Sequence, residues 1–220
     1  MKTLVQCDFD GTITFRDASF LLLDTFADGD WRALLDEYLA GRISVGAFNT
    51  RAFAMVKAGR EAQLELLLKS ENLRIRPGFP ELVRFCREND LKFAIVSNGQ
   101  DFYIKAILDK LGLTDLEYHA ARASFHPEGM VVHYIGPDGN IVEDSFKETY
   151  TRLYLSQGYR VIYVGNGVSD IHPARLAQHV FATGSLLRKC RETSLECEPF
   201  EDLHDVREGI ARLAAAPEPG

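Results

Sequence analysis

The chain has 220 residues, 46% hydrophobic and 26% charged, a composition that suits one soluble globular domain with a modest insertion better than two independent domains. Its 25 basic and 32 acidic side chains leave a net charge of -7 without any basic stripe, which argues against sequence-independent nucleic-acid binding, since that needs clustered Lys and Arg. No apolar run approaches a membrane-spanning length and no signal-peptide core precedes Asp8, so no membrane partner is expected and the cytoplasm is the expected location.

Residues 3–7 form the first short run rich in branched apolar side chains, the pattern of a strand buried in a parallel sheet. Roughly eighty residues separate it from the next such run, far more than a crossover needs, so an insertion is expected there. Helical patterns fill it at 18–26, 31–39, 45–56 and 62–70, with turn signals at Asp28-Gly29, Gly41 and Gly59, and Pro77-Gly78 closes it. A helix over 80–89 then opens on Pro80, followed by a strand at 92–96 and a helix at 102–111. Residues 118–144 read as a second, smaller insertion, a hairpin in which 130–135 and 140–142 flank the turn Gly136-Pro137-Asp138-Gly139. Further strands are expected at 160–164 and 179–182.

Strands alternating with helices predict an α/β fold, a doubly wound parallel sheet, with the first insertion as a helical cap over the carboxyl ends of the strands. The expected division is a core of 1–14 and 78–212, a cap of 15–77, and a frayed tail from 213 to 220. Cys7, Cys86, Cys190 and Cys197 form no CxxC pair and read as free thiols. The six histidines show no zinc-ligand spacing, although His172, two residues after Asp170, either borders the site or faces solvent.

Asp8 and Asp10 directly follow the first strand and lead into Gly11 and Thr12, a turn that lets backbone approach a ligand. Two carboxylates there invite a divalent cation, and their hard oxygens suit Mg²⁺, though an isolated DxD is more often a solvated turn. The second strand ends in Val96-Ser97-Asn98-Gly99 and the third in Val164-Gly165-Asn166-Gly167-Val168-Ser169-Asp170, with Lys147 between them. A parallel sheet gathers these ends at one edge. Ser97 can donate a hydroxyl to a phosphate oxygen, the amides after it can form an anion-binding concavity, Lys147 adds a compact positive charge, and Asp170 a further carboxylate near the metal.

This ordered set, with the cap, resembles the haloacid dehalogenase-like phosphatases over nearly the whole chain. The resemblance implies a Rossmann-like core, Mg²⁺ as cofactor and a small phosphate ester as partner; a monomer or homodimer is expected. It implies that Asp8 is the nucleophile that becomes phosphorylated and that Asp10 serves as acid and then base. Thr12, Ser97, Asn98 and Lys147 would bind phosphate, and Asp8, Asp10, Asn166 and Asp170 the metal. Asn166 stands where the family usually has an aspartate ligand, which takes one charge from the site and leaves a weakly active or non-catalytic phosphate-binding relative as the alternative.

Inside the family, Asp8-Phe9-Asp10-Gly11-Thr12-Ile13-Thr14 with Asp17, Trp31, Arg51 before Phe53, and Ala123-Ser124-Phe125 is similar to the methionine-salvage phosphatases. Phosphoserine phosphatases share the core but typically carry a glutamate where Asp17 stands. Asp17 reads either as a substrate contact or as a helix N-cap, and Arg51 either as a substrate contact or as a solvated arginine. A receiver domain that accepts phosphate on aspartate would have no reason for the long insertion. A dinucleotide oxidoreductase is disfavoured because Gly165-Asn166-Gly167 lacks the third glycine of GxGxxG.

Overall fold

The computed structural model describes residues 2–71 and 73–215, the last by its backbone alone. Strand β1 (Lys2–Cys7) is fully buried from Leu4 onward, as a strand covered on both faces must be. The chain then enters helices α1 (Ala18–Phe26), α2 (Trp31–Leu39), α3 (Val45–Phe53) and α4 (Arg60–Lys69). Asp17, Asp30 and Ser44 set the starts of the first three by accepting from the amides of Phe20, Ala33 and Ala47. Outgoing and returning chains lie side by side, the Phe15 amide donating to the Arg74 carbonyl at 2.9 Å and the Arg76 amide to the Ile13 carbonyl at 2.7 Å.

The remaining elements are α5 (Phe79–Glu88), β2 (Lys92–Gln100), α6 (Asp101–Lys110), β3 (Glu117–His126), β4 (Gly129–His133), α7 (Phe146–Ser156), β5 (Tyr159–Gly165), α8 (Ile171–Leu176), β6 (His179–Ala182), α9 (Gly184–Glu192), β7 (Glu198–Pro199) and α10 (Leu203–Ala215). Among the described residues seven strands form one sheet in the order β4-β3-β2-β1-β5-β6-β7, parallel except for β3 with β4. Cys7 pairs with Ile95 on one side and Val164 on the other, so Asp8, Val96 and Gly165 stand level across the three strands, although β2 continues to Gln100 beside β3. That register places the three motif-bearing ends at one edge.

The sheet differs from the sequence reading at its far side. Residues 117–121 are not inserted chain but the first half of β3, parallel to β2, and only 122–126 turn away to pair antiparallel with β4. The hairpin therefore reverses at Pro127-Glu128. Residues 136–139 do form a tight turn, with the Gly139 amide donating to the Gly136 carbonyl at 3.0 Å, but only the isolated bridge of Ile135 with Ile141 flanks it. β3 is half-buried rather than covered on both faces, which deprived it of the continuous apolar run that marks β1. Helix α3 stops at Phe53, short of residue 56, because Val56 leaves to bridge Ala27. α10 continues through Ala215, so the frayed tail expected from 213 does not begin there, and 216–220 lie outside the described residues. All four cysteines are free thiols, and no described helix is long and apolar enough to cross a membrane.

Candidate active site

Asp8 is the first residue beyond β1, its amide still held by the Val164 carbonyl at 2.9 Å, and it is 4% exposed. Lys147, in the first turn of α7, forms an ion pair with Asp8 Oδ1 at 2.7 Å and with Asp170 Oδ1 at 2.6 Å. Burial pushes the Asp8 carboxyl up to about 7, and the Asp170 charge adds to this while Lys147 opposes it. Burial works against the Lys147 charge, but the two carboxylates outweigh it and its pKa is raised, so the ammonium persists. Gln6, fully buried beneath Asp8, fixes the turn that carries Lys147: its Nε2 donates to the Lys147 carbonyl at 3.1 Å and its Oε1 accepts from the Thr151 hydroxyl at 2.8 Å.

Asp10 lies under α1. Its Oδ1 accepts from the Ala18 amide at 2.9 Å and its Oδ2 from the Tyr103 hydroxyl. Burial, with Asp17 adding charge repulsion, pushes this carboxyl well above its ordinary value, which favours a protonated acid. Asp17 has the N-cap geometry foreseen for it, its Oδ1 accepting from the Phe20 amide at 3.0 Å, and burial raises it to about 6.

Gly11 adopts φ +76°, and a Cβ there would overlap the Asn166 amide group, so both backbone shape and space require glycine. The Thr12 hydroxyl donates to Asn166 Oδ1 at 2.9 Å and lies 3.4 Å from Asp8 Oδ2, joining the β1 and β5 ends behind the site. Arg76, on the chain returning from α4, holds this turn from below: its guanidinium donates to the carbonyls of Thr12 and Gly11 at 2.8 Å each and of Glu201 at 2.5 Å.

A metal fits where Asp8 and Asn166 face one cavity, since a carboxylate with little engaged Oδ2 and an amide oxygen that keeps a second lone pair beside its bond from Thr12 are hard donors of the kind Mg²⁺ takes. Among the described residues no cluster of three or more His, Cys, Asp or Glu is arranged to hold a metal alone, so waters and phosphate oxygens would complete the shell. Asp170 is fully buried and both its oxygens are filled. Oδ1 accepts from Lys147 and from the Tyr163 hydroxyl at 2.6 Å, and Oδ2 from the amides of Asn166 at 2.9 Å and Gly167 at 2.7 Å.

The cavity measures about 430 Å³. Its floor carries Asp8, Asp10, Ser97, Lys147 and Asn166, while the inserted helices supply an apolar roof that includes Phe20, Leu35, Tyr38 and Phe48. Phe20 is edge-on to Phe48 with centroids 6.4 Å apart, and Tyr38 stacks on Phe48 at 5.8 Å. Ser97 Oγ accepts from the Gly99 amide at 3.0 Å, leaving its own proton for a ligand. Asn98 lines the cavity, and its backbone carbonyl accepts from the Asn49 amide group at 3.2 Å and the Tyr134 hydroxyl at 2.7 Å.

The structure thus brings together Asp8, Asp10, Asp17, Ser97, Asn98, Lys147 and Asn166 around one cavity. Thr12 and Asp170 stand behind it rather than on its wall. Arg51 is elsewhere, facing a groove between α3 and the 132–143 segment and lying 4.0 Å from Glu37. His172 is exposed on α8. Sequence reasoning passed over Gln6, Arg76, Tyr103 and Tyr163. Gln6 alone left a signal, as the polar interruption of an apolar run.

A model of the haloacid dehalogenase-like hydrolases matches residues 5–175, and the chain belongs to that family. Within it the protein is a phosphatase. The 2-hydroxy-3-keto-5-methylthiopentenyl-1-phosphate phosphatase of Bacillus velezensis is 33% identical over 217 residues, covering 96% of this chain and 90% of that one. Its namesake from Geobacillus thermodenitrificans is also 33% identical over 217 residues, with 96% and 97% covered. A solved phospho-aspartyl intermediate analogue of phosphoserine phosphatase superposes with a TM-score of 0.68 at 18% identity, over 94% of this chain and 98% of that one. That likeness is one of fold. Phosphatases of this family use Mg²⁺ in general.

Proposed function

We propose that the protein hydrolyses a small phosphomonoester through a phospho-aspartyl intermediate on Asp8, with 2-hydroxy-3-keto-5-methylthiopentenyl-1-phosphate as substrate. Helices α1–α4 serve as a cap spanning 15–77 on a core of 1–14 and 78–212. In the first step an Asp8 carboxylate oxygen attacks phosphorus, the bond to the leaving oxygen breaks, and Asp10 gives that oxygen its proton. In the second, Asp10 takes a proton from water as the water oxygen attacks phosphorus. The bond to Asp8 then breaks, inorganic phosphate leaves, and both acids regain their starting states. Lys147 and Ser97 hold the phosphoryl oxygens, and the roof excludes other water. Asp8 and Asn166 would hold Mg²⁺, which when bound offsets the repulsion between a carboxylate and a phosphate.

The observation that carries the choice of substrate is the roof. Among the described lining residues Lys147 is the sole cation, and it is engaged on the floor. Phosphoserine brings a carboxylate that would find no cation among Phe20, Leu35, Tyr38 and Phe48, at the cost of burying a charge without an opposite one. The methylthio end of the proposed substrate is apolar and suits that surface. Phosphate release measured on both compounds is expected to favour the methylthio phosphate at least roughly tenfold in kcat/KM. Preference for phosphoserine would overturn the assignment.

Asn166 offers a neutral oxygen where a charged one would bind the ion more tightly. Asn166→Asp is therefore expected to lower the Mg²⁺ concentration for half-maximal activity about tenfold, equivalent to about 1.4 kcal/mol. The Mg²⁺-dependent rise in melting temperature should move to lower concentration with it. An unchanged requirement in both measurements would remove Asn166 from the metal site, and no turnover at any Mg²⁺ concentration would overturn the catalytic reading.

A further inference from the structure

We infer that Tyr103 is a positioning residue for the proton transfers of Asp10, holding its carboxyl group in the one orientation that faces the substrate's leaving oxygen. The inference rests on the acid–base reading of Asp10 given above. Tyr103 is fully buried on α6 and is not among the cavity's lining residues, so it reaches the site only through its neighbours, of which Asp10 carries the chemistry. Its hydroxyl donates to Asp10 Oδ2 and lies 3.0 Å from the Ser19 hydroxyl on α1. The ring is edge-on to Phe102 at 5.4 Å and tilted against Phe9 at 6.3 Å, which leaves the hydroxyl little freedom to move.

Asp10 can rotate about the bond to its carboxyl group, and a general acid works only within hydrogen-bond reach of the atom it protonates. The Ala18 amide fixes one oxygen and Tyr103 the other, so the plane of the carboxyl is set from both sides. Gly99 makes room for this pair. A Cβ at that position would overlap both the Tyr103 hydroxyl and Asp10 Oδ2. A tyrosine on the apolar side of α6 has ample ways to pack without that contact, and the glycine opposite it is spent on admitting it.

The contact can be tested by how much help the leaving group needs. Tyr103→Phe keeps the ring and removes the donor, and kcat/KM reports the step in which the leaving oxygen takes its proton. On an alkyl phosphate, whose alkoxide needs that proton, kcat/KM is expected to fall roughly 10- to 100-fold. On 2,4-dinitrophenyl phosphate, whose phenolate leaves unaided, it should change less than about threefold. Asp10→Asn, run beside it, should show the same selectivity at larger amplitude. Equal losses on both substrates, or none, in Tyr103→Phe would overturn the inference while a selective Asp10→Asn still upholds the reading of Asp10. A non-selective Asp10→Asn would overturn both. Should Tyr103→Phe fail to fold, Ser19→Ala removes the hydroxyl's second partner without removing a group bonded to Asp10. It is expected to show the same selectivity at smaller amplitude, and a non-selective or absent effect there overturns the inference equally.

Discussion

Asp8→Asn is expected to abolish phosphate release, by roughly four orders of magnitude or more, in a protein that still folds. The amide cannot form the covalent bond to phosphorus that the proposed first step requires, and no other carboxylate on the cavity floor is free for it. Asp10 is held by Ala18 and Tyr103, and Asp170 is enclosed behind Lys147. Folding should survive because asparagine fills the same volume and carries no charge into a site where Asp8 is 4% exposed. The same substitution makes a second prediction in the presence of a chelator. The Asp8 carboxyl lies at about 7 in the folded protein against 3.8 ordinarily, chiefly through burial. The folded state therefore binds this proton more tightly than the unfolded chain, and the stability attached to it is present below about 4 and lost as pH rises to about 7. Asparagine has no such loss, so its melting temperature relative to the parent should rise between about pH 4 and pH 8. A difference that stays level or falls would mean that attraction to Lys147 outweighs the burial of Asp8. Residual activity near the parent level would remove Asp8 as nucleophile.

The meeting of residues 8–12, 97–99 and 165–170 at one edge was legible because β1, β2 and β5 are central strands whose continuous apolar runs declare their type, although β2 runs past its expected end at 96 through Ser97-Asn98-Gly99 to Gln100. β3 was hidden by the opposite circumstance: it is half-buried, and it changes partner midway from β2 to β4. The side chains that support the site were hidden for a different reason. Tyr103 sits at helical spacing among Ile104, Ile107 and Leu108, and nothing in that pattern distinguishes a ring that packs from one whose hydroxyl reaches a carboxylate. Arg76 reaches Gly11 and Thr12 across more than sixty residues of sequence, a partnership only the folded chain creates. Periodicity put Arg51 on α3 correctly but does not say which neighbour each face of that helix meets, and Arg51 lines the groove beside the 132–143 segment, its guanidinium 4.0 Å from Glu37, instead of the cavity. Asp170 could be read as an acid near the site. That four donors enclose it depends on Tyr163, Lys147 and the 166–167 backbone converging in space.

That enclosure makes Lys147 the residue whose loss should damage both stability and function. Its ammonium is 4% exposed and stands between two carboxylates, Asp8 Oδ1 at 2.7 Å and Asp170 Oδ1 at 2.6 Å. Lys147→Met keeps the stem and removes the charge, leaving two buried acids facing each other without compensation. Breaking a buried pair in this way costs about 3–5 kcal/mol, which in a domain of this size lowers the melting temperature by roughly 6–20 °C. The deficit should shrink toward low pH, where the stranded carboxyls can take up protons. Adding Asp170→Asn removes one of the two charges and should recover part of the stability. Recovery stays partial because an asparagine has one acceptor oxygen for a place where Tyr163 and the amides of Asn166 and Gly167 still require partners. Activity is expected to stay lost in the double variant, since the cation that holds the phosphoryl group is absent from both. A single variant melting within about 2 °C of the parent would show that the carboxylates were not held as charges by Lys147. A double variant that regained turnover along with stability would show that Lys147 serves the fold and not the phosphoryl group.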